Sequence, residues 1–447
     1  MPYIGNQPGT GVRSRFIYTA TASQTTFSGA DDNSKTLKYA DSDYIDVYLN
    51  GVCLVPGTDY TASTKTSVVL TQAASLSDTL EVIAYDIASM SDMSASNGGT
   101  FQADVTFADG ADIVTATAGT DNVRLGEDAG ASIVSGGNKN VAIGKNALTA
   151  NTTADQNTAV GYEALKTNTT TDRHTAIGYQ ALYANSSGIR NTAIGWSALK
   201  DNTSGDRGAA FGEQTLTNNT TGDDNTGLGE AALASNTTGG TNTAVGSSAL
   251  LSNTTASNNT AVGYKAALNN TTGTQNTAIG RQALTSNTTA NNNVAVGYQA
   301  ALNNTTGTQN NALGSSALLN TTTGNYNNAF GQGSLYYNTS GSKNTALGDQ
   351  ALFSNTTASE NVGVGYQTGY STTTGGLNTF VGRLAGYSAT TATENTFVGT
   401  ASGYSMTTGS KNTILGAYNG NAGGLDIRTA SNNIVLSDGD GNPRLYL

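Results

Sequence analysis

Small and apolar residues recur along most of the chain with a period of 17 residues. Each period contains a residue that is mostly Ala, followed by an aliphatic residue or Phe, then an invariant Gly, and later a small residue that is usually followed by Leu. The segment Asn191–Arg207, NTAIGWSALKDNTSGDR, is representative. Unbroken self-similarity at one period is typical of stacked repeats. We number the repeat positions 1 to 17 from this Asn, which places the invariant Gly at position 5.

The position-5 glycines define 17 successive repeats and are the structural glycines of this architecture: Gly144, Gly161, Gly178, Gly195, Gly212, Gly229, Gly246, Gly263, Gly280, Gly297, Gly314, Gly331, Gly348, Gly365, Gly382, Gly399 and Gly416. A looser unit precedes them, running from Asn122 to Lys139, with Gly126 as its glycine and one additional residue. The repeats are assigned to residues 122–428.

Each repeat contains two short β-compatible pieces joined by polar turns rich in Asn, Thr and Gly, which predicts one coil of a β-solenoid. Stacked at about 4.8 Å, the 17 coils would form a rod of roughly 80 Å. All four prolines lie outside the repeats, as expected if every coil needs its backbone N–H groups for a shared ladder. Stacked amide side chains that bond one another or cap the turn backbone explain the recurrent Asn at position 1.

The apolar content of one coil predicts self-association. A coil offers only two or three apolar side chains, against an ordering cost of about 1.5 kcal/mol per residue. A second hydrophobic surface is therefore required, and closed symmetry supplies one. Invariant Gly beside Ala would let backbones approach closely at a three-fold axis. We therefore predict a homotrimer.

The last repeats change composition in a coordinated way, and this region supplies the candidate receptor contacts. Exchanging Leu for Gly at position 9 while position 3 enlarges conserves apolar volume, which predicts a repacked core. The substitutions are Gly369, Gly386, Gly403 and Gly420 at position 9, and Phe380, Phe397 and Ile414 at position 3. The candidate receptor-binding residues are the position-10 tyrosines Tyr370, Tyr387 and Tyr404.

The flanks differ from the repeats. Residues 1–92 alternate apolar and polar positions, and Asn50-Gly51 between two apolar runs predicts a hairpin within a small β-sandwich. Residues 93–121 are expected to be a connector with alternating Val105, Phe107 and Ile113. In residues 429–447, apolar runs on both sides of Asp438–Asn442 predict a hairpin that covers the edge of the last coil.

Composition and motifs narrow the function classes. The chain has 55 glycines, 11% charged residues and a net charge of −11, which favours a solenoid over an enzyme and disfavours nucleic acid as a partner. The single Cys53 excludes an internal disulfide framework. The N-terminus has no apolar signal region, and no run of about 18 apolar residues occurs, so ordinary secretion and membrane spanning are both disfavoured.

Catalytic and ligand-binding signals are weak. No nucleophile elbow, phosphate loop or metal-spaced His/Cys cluster occurs, so we expect no enzyme activity, cofactor or metal. Asp438, Asp440 and Asn442 resemble the start of a calcium loop but lack its glycine and terminal glutamate, and we interpret them as a turn. His174 takes a slot that holds Asn in neighbouring repeats. Aromatic residues at position 6 either form an exposed sugar-stacking stripe, or pack at a trimer seam or over neighbouring coils.

Several segments resemble phage tail fibres. The segments LNGVCLVPGTDYT and DTLEVIAYD are similar to the tail-attachment domain at the N-terminus of short-tailed phage tail fibres. The opening MPYIGNQPGTGVRSRFIYTATASQTTFSG resembles the starts of tail fibre proteins in marine phages of cyanobacteria and related hosts. GTFQADVTFADGADI looks like the neck of phage fibres, and the NTAIG-type units resemble both fibre shafts and the heads of trimeric autotransporter adhesins, whose coil is shorter.

The resemblance implies a structural protein of the virion, made in the host cytoplasm. Residues 1–92 would bind the phage tail or an adaptor protein, and the distal end of a homotrimeric fibre would contact a host surface glycan or outer-membrane component. One alternative is a monomeric ice- or mineral-binding solenoid with a flat threonine face, although adjacent Thr152 and Thr153 would point in opposite directions. The other is an exported trimeric bacterial adhesin, for which a signal peptide and membrane anchor are missing.

Overall fold

The computed structural model describes residues 12–86 and 119–447. The chain divides into two compact units, residues 1–112 and 113–447. The described residues are all-β except for one short 3-10 helix, Ser42–Tyr44. Val105, Phe107 and Ile113 of the predicted connector lie outside the described residues.

The N-terminal unit contains two antiparallel sheets that share one core. One sheet has the order β1-β7-β3-β4 and the other β2-β6-β5. Phe27, Val47, Val68 and Leu80 are buried in the common core, so the predicted β-sandwich is confirmed. The strands are β1 Val12–Thr19, β2 Gln24–Ser28, β3 Ile45–Leu49, β4 Val52–Cys53, β5 Tyr60–Thr61, β6 Ser67–Ala74 and β7 Thr79–Asp86.

The predicted Asn-Gly hairpin joins β3 to β4. Asn50 and Gly51 have φ values of 52° and 81°, the left-handed conformations that a tight hairpin turn requires. The Asn50 side chain also accepts a hydrogen bond from the Thr79 N–H at 2.9 Å and donates one to Asp78 at 2.9 Å. The turn is therefore tied to the start of β7, which confirms the hairpin and explains why Asn is suited to this position.

The second unit is a β-solenoid with one three-residue strand per coil, at repeat positions 2 to 4. Each strand pairs in parallel and in register with the next, as Ala193 does with Ala210. The looser unit forms the first coil, since its strand pairs with that of the next coil in the same way. The strands are β8 Val123–Leu125, β9 Val141–Ile143, β10 Thr158–Val160, β11 Thr175–Ile177, β12 Thr192–Ile194, β13 Ala209–Phe211, β14 Thr226–Leu228, β15 Thr243–Val245, β16 Thr260–Val262, β17 Thr277–Ile279, β18 Val294–Val296, β19 Asn311–Leu313, β20 Asn328–Phe330, β21 Thr345–Leu347, β22 Val362–Val364, β23 Thr379–Val381, β24 Thr396–Val398 and β25 Thr413–Leu415.

The second predicted β piece, at positions 8 and 9, is wrong. These residues form a turn, and the position-9 leucine is left-handed, with a φ of 49° at Leu199. Position 7 is left-handed too, with a φ of 54° at Ser197. The ladder nevertheless continues, because the Leu199 N–H donates to the Thr215 carbonyl of the next coil at 3.0 Å. Coils are thus joined by hydrogen bonds outside the strand as well.

The position-5 glycines pack against the following coil of the same chain. Their φ values lie between 109° and 140°, a region that side chains rarely adopt. A Cβ at Gly246 would also lie 2.6 Å from the Gly263 carbonyl oxygen. The close approach that we expected at a three-fold axis is therefore between coils of one chain, and the glycines carry no information about a trimer.

Two asparagine ladders complete the core of the solenoid. Ala at positions 3 and 8 and Leu at position 9 are fully buried, as are Asn191 at position 1 and Asn202 at position 12. The Asn191 oxygen accepts from the Gly208 N–H at 2.7 Å, and both amides donate to the Gly205 carbonyl, at 2.8 and 3.0 Å. Asn202 also donates to Asn185 of the previous coil at 3.0 Å. The predicted position-1 ladder is confirmed, and the position-12 ladder is an addition that the sequence analysis missed.

The repacking of the last coils is confirmed. Phe380 and Phe397 are fully buried and stack with their ring centroids 5.3 Å apart. A Cβ at Gly369 or at Gly386 would lie 2.8 Å from ring atoms of Phe380. The enlarged residue at position 3 therefore fills the space that the position-9 leucine occupies in earlier coils, and only glycine leaves room for it.

A hairpin closes the C-terminal edge, as predicted. After a small hairpin of β26 Asn421–Ala422 and β27 Leu425–Asp426, β28 Ile434–Ser437 pairs in parallel with β25, and β29 Pro443–Tyr446 pairs antiparallel with β28. Asp438 accepts hydrogen bonds from the N–H groups of Asn442 and Asp440 at 2.9 and 3.1 Å and pairs with Arg444. These partners, the Asn442 N–H foremost, lower the pKa of Asp438 to about 2. The carboxylate is engaged by its own turn, in agreement with the turn interpretation.

Candidate functional site

The three predicted receptor-binding tyrosines lie together in one aromatic stack at position 10. The stack begins at Tyr336 and Phe353 and continues through Tyr370, Tyr387 and Tyr404, with successive centroids 5.0 to 5.1 Å apart and interplanar angles of 3° to 23°. Burial raises the pKa of Tyr387 within this stack. Because each inner ring covers the faces of its neighbours, the stack presents ring edges and hydroxyl groups to solvent. Contact with a receptor stays a prediction.

Tyr337, at position 11, is the aromatic residue beside this stack that the sequence analysis missed. It is 48% exposed. Its ring lies 4.7 Å from Tyr336 at 71° and 5.2 Å from Phe353 at 87°. A shallow groove runs past it, lined by position-11 residues such as Asn320 and Ser354 and by position-13 threonines. The sequence does contain a feature that could have identified Tyr337, because the neighbouring repeats carry Asn or Ser at position 11 where this repeat carries Tyr.

Five of the six aromatic residues at position 6 pack against a ring or guanidinium of a neighbouring coil, and the sixth, Tyr366, is 47% exposed. Tyr162, Tyr179 and Trp196 form a stack with centroids 5.3 and 6.0 Å apart. Tyr264 and Tyr298 lie on either side of Arg281, whose guanidinium carbon is 5.9 and 5.8 Å from their ring centroids. Packing over neighbouring coils is thus confirmed for these five residues, although they stay 41% to 46% exposed in a single chain.

The outer face of the long parallel sheet carries an unbroken apolar row at position 4. Position 3 points into the core, so positions 2 and 4 point outward. All the position-4 side chains are Ile, Val, Leu or Phe, and none of them is buried. Exposure is 37% at Ile177 and reaches 48% at Leu228 and Leu347. Soluble monomers rarely expose an apolar patch this extensive.

His174 belongs to the interior. It replaces Asn at position 1 and is 1% exposed. Its Nδ1 accepts from the Asn191 N–H at 3.2 Å, and its Nε2 lies 3.0 Å from the Thr171 hydroxyl. Burial lowers its pKa to about 4. The neutral imidazole therefore serves as a member of the position-1 ladder.

Within residues 12–86 and 119–447, no group of three or more His, Cys, Asp or Glu side chains is arranged to hold a metal ion. No helix in these ranges is long and apolar enough to cross a membrane. Comparison with protein-family models, curated proteins and solved structures gives no match. The fold itself defines the class, which is a β-solenoid repeat protein that also carries a small β-sandwich.

Proposed function

We propose that this chain is a structural and adhesive virion protein, a homotrimeric bacteriophage tail fibre without catalytic activity. Its N-terminal sandwich would bind the phage tail or an adaptor protein. The solenoid would act as a stiff spacer, and the last coils would contact a glycan or outer-membrane component of the host surface. The observation that carries this proposal is the uninterrupted coil stack with its outward apolar row.

Stiffness follows from the number of ladders that join each coil to the next. In one coil, the N–H groups of Thr192, Gly195 and Ser197 donate to the carbonyls of adjacent coils at 2.8 Å. Thr203 and Arg207, on the turn side, do the same at 2.9 and 3.0 Å. Bending would stretch bonds around the whole cross-section. A stack of this kind spans about 80 Å without a hinge, which suits a spacer.

The position-4 row supports self-association. Eight of the seventeen position-4 side chains are 37% to 48% exposed and the other nine are partly exposed. The row therefore leaves on the order of 1,000 Å² of apolar surface in water, comparable to the roughly 800 Å² that each partner buries in a standard interface. No charged residue interrupts the row. Parallel copies around a symmetry axis would place this row against itself, coil by coil.

Light scattering of the purified full chain tests the trimer. We expect a mass three times the 45.3 kDa of one chain, maintained on dilution. Replacing Val245, Val262 and Ile279 with Lys should dissociate or weaken the assembly. The matched control replaces the exposed Thr255, Thr272 and Thr289 of the same coils with Lys and should stay trimeric. A stable monomer at all concentrations would contradict this part of the proposal.

Binding to isolated virion tails tests the anchoring. The sandwich exposes Val52, Val55 and Leu76 at 66%, 56% and 70%, and a tail protein that covered this apolar surface would gain its burial energy. The full chain should bind tails, and Val52→Asp should weaken binding while Thr255→Asp on the solenoid should not. If the full chain fails to bind tails, the anchoring is wrong.

A monomeric ice- or mineral-binding solenoid is the second candidate. It is favoured by the threonines at position 2, which share the flat outer sheet face with the apolar row. Thr152 and Thr153 do differ in role, since Thr152 donates its hydroxyl to the Thr169 carbonyl at 3.1 Å and Thr153 is exposed. Both candidates use the same sheet face, so a trimer that buries it could not bind ice. Thermal hysteresis from a monomeric sample would favour the alternative.

A further inference from the structure

We propose that the groove beside Tyr337 is a binding subsite for a neutral pyranose unit of a surface glycan. This inference names the ligand class of the adhesive surface and so rests on the proposed function. The subsite comprises the Tyr337 ring, the amides of Asn303 and Asn320, and the hydroxyl-bearing Thr339 and Ser354. It is distinct from the tyrosine stack that the sequence predicts.

The arrangement of the rings leaves Tyr337 as the open platform. Both faces of Phe353 are covered, one by Tyr336 at 5.1 Å and the other by Tyr370 at 5.0 Å. Tyr337 is perpendicular to Phe353 at 87°, so the edge of Phe353 must point at one face of Tyr337. The opposite face of Tyr337 is turned away from the stack, in keeping with its 48% exposure. A flat aromatic face of this kind can stack on the C–H face of a sugar ring.

The rest of the groove matches a neutral, hydroxyl-rich ligand. Asn, Thr, Ser and Tyr residues line the groove, and no charged side chain is among them. The Asn303 amide donates to the Asn320 oxygen at 3.0 Å, and the Asn320 amide donates to the Tyr336 carbonyl at 3.1 Å. Each amide has two N–H bonds and these contacts use one of each, so a second donor stays available on both. The side chains are held in place before the ligand arrives, which lowers the entropy cost of binding.

Other ligand classes fit this groove less well. A phosphate or an acidic glycan requires cations, which the groove lacks. An extended peptide that added itself as a strand would need free backbone groups, yet the N–H groups of Thr322 and Thr339 already donate to the next coil at 2.9 and 2.8 Å. A neutral sugar needs only the aromatic face and the side-chain donors.

The test uses the full chain on a printed array of bacterial surface oligosaccharides. Wild type should bind neutral hexose-containing glycans, and Tyr337→Ala should weaken this binding about tenfold or more, because it removes the flat face on which the sugar ring stacks. A tenfold loss corresponds to about 1.4 kcal/mol. Tyr298→Ala is the matched control, because Tyr298 is 45% exposed on another face. Tyr337→Trp keeps a flat ring and should retain binding, which separates loss of the platform from misfolding.

Three outcomes would overturn the subsite: no neutral glycan binds, only acidic glycans bind, or Tyr337→Ala binds as well as Tyr298→Ala. Light scattering and tail binding are measured on the same preparations. A monomer that fails to bind tails but shows glycan binding dependent on Tyr337 would disprove the fibre proposal and leave the subsite standing. A trimer that binds tails, and whose glycan binding is unaffected by Tyr337→Ala, would support the fibre proposal and disprove the subsite.

Discussion

The position-12 asparagine ladder is interrupted at Thr321 and ends after Asn355, and repairing the interruption should stabilise the solenoid. From Asn168 to Asn287, each amide oxygen accepts from the amide of the next coil, as Asn287 does from Asn304 at 3.0 Å. The next coil after Asn304 carries Thr321, and the Asn304 oxygen is buried with no hydrogen-bond partner in the described structure. The substitution Thr321→Asn would place an amide donor where this oxygen needs one.

The magnitude follows from the contacts at this coil. A buried acceptor without a partner costs about 1–3 kcal/mol. The new Asn would also offer its oxygen to Asn338, whose amide now lies at a long 3.4 Å from the Thr321 hydroxyl. Ordering a longer side chain offsets about 1 kcal/mol of this gain. We expect a net stabilisation of about 1–2 kcal/mol, which corresponds to a five- to thirtyfold smaller opening constant.

Hydrogen exchange followed by mass spectrometry is the appropriate assay, because stacked repeats open locally. Peptides covering residues 304–338 should exchange more slowly in Thr321→Asn, and peptides from distant coils should be unchanged. Thr323→Asn is the control, since it makes the same chemical change at the exposed position 14 of the same coil. Unchanged or faster exchange in a correctly folded Thr321→Asn protein would refute the view that the amide ladder stabilises the core.

Three further predictions concern the interior. In the folded chain the pKa of His174 is about 4, whereas a histidine in the unfolded chain protonates near pH 6.5. The free energy of unfolding should therefore have its full value above pH 6.5 and fall by up to about 3 kcal/mol as the pH drops to 4. The NMR titration of this single histidine checks the pKa, and His174→Asn should remove the histidine contribution to this loss, while the contribution of carboxylates such as Asp438 remains. Gly246→Ala should destabilise the coils it joins by at least about 2 kcal/mol, because a side chain there would be held at a φ of 129° and would clash with the Gly263 carbonyl. The control, Ser247→Ala, should leave their stability unchanged. Phe380→Ala should cost about 3–5 kcal/mol in thermal or denaturant unfolding, through the cavity that it leaves between two glycines.

The sequence predicted the coil stack but not the path of each coil. The period and the position of Ala, Leu and Gly are enough to identify stacked units, because every coil must repeat the same contacts. The left-handed conformation of Leu199 could not be predicted, since bulky residues avoid that region at a cost of about 1–2 kcal/mol. Complete burial of the leucine side chain, worth about 1.5–3 kcal/mol, outweighs this cost. The conformation is decided by tertiary packing.

In the candidate site too, the sequence predicts which residues lie together but not how their side chains are arranged. A spacing of 17 residues brings Tyr370, Tyr387 and Tyr404 together, because equivalent positions lie directly above one another. The spacing does not indicate which ring faces stay open, since that depends on side-chain rotamers. The stack covers the faces of the inner rings, whereas Tyr337 departs from its row, lies at 87° to Phe353 and is 48% exposed. In the proposed subsite, it is a departure from the repeat, and not a residue that continues it, that offers a ligand an open ring face.

Comparison among the repeats of one chain also distinguishes surfaces that face water from surfaces that are covered. Position 6 accepts Glu213, Asp349 and aromatic residues alike, and position 2 accepts Asn311 in place of Thr. Position 4 lies between them in the sequence and is apolar in every repeat. The buried position 9 is likewise apolar until the last coils, where Gly replaces Leu and the Phe at position 3 fills the space. An exposed site would tolerate charge, because a single polar side chain there costs nothing. We infer that this row is covered in the working protein, which is the physical reason for favouring an assembly over a free monomer.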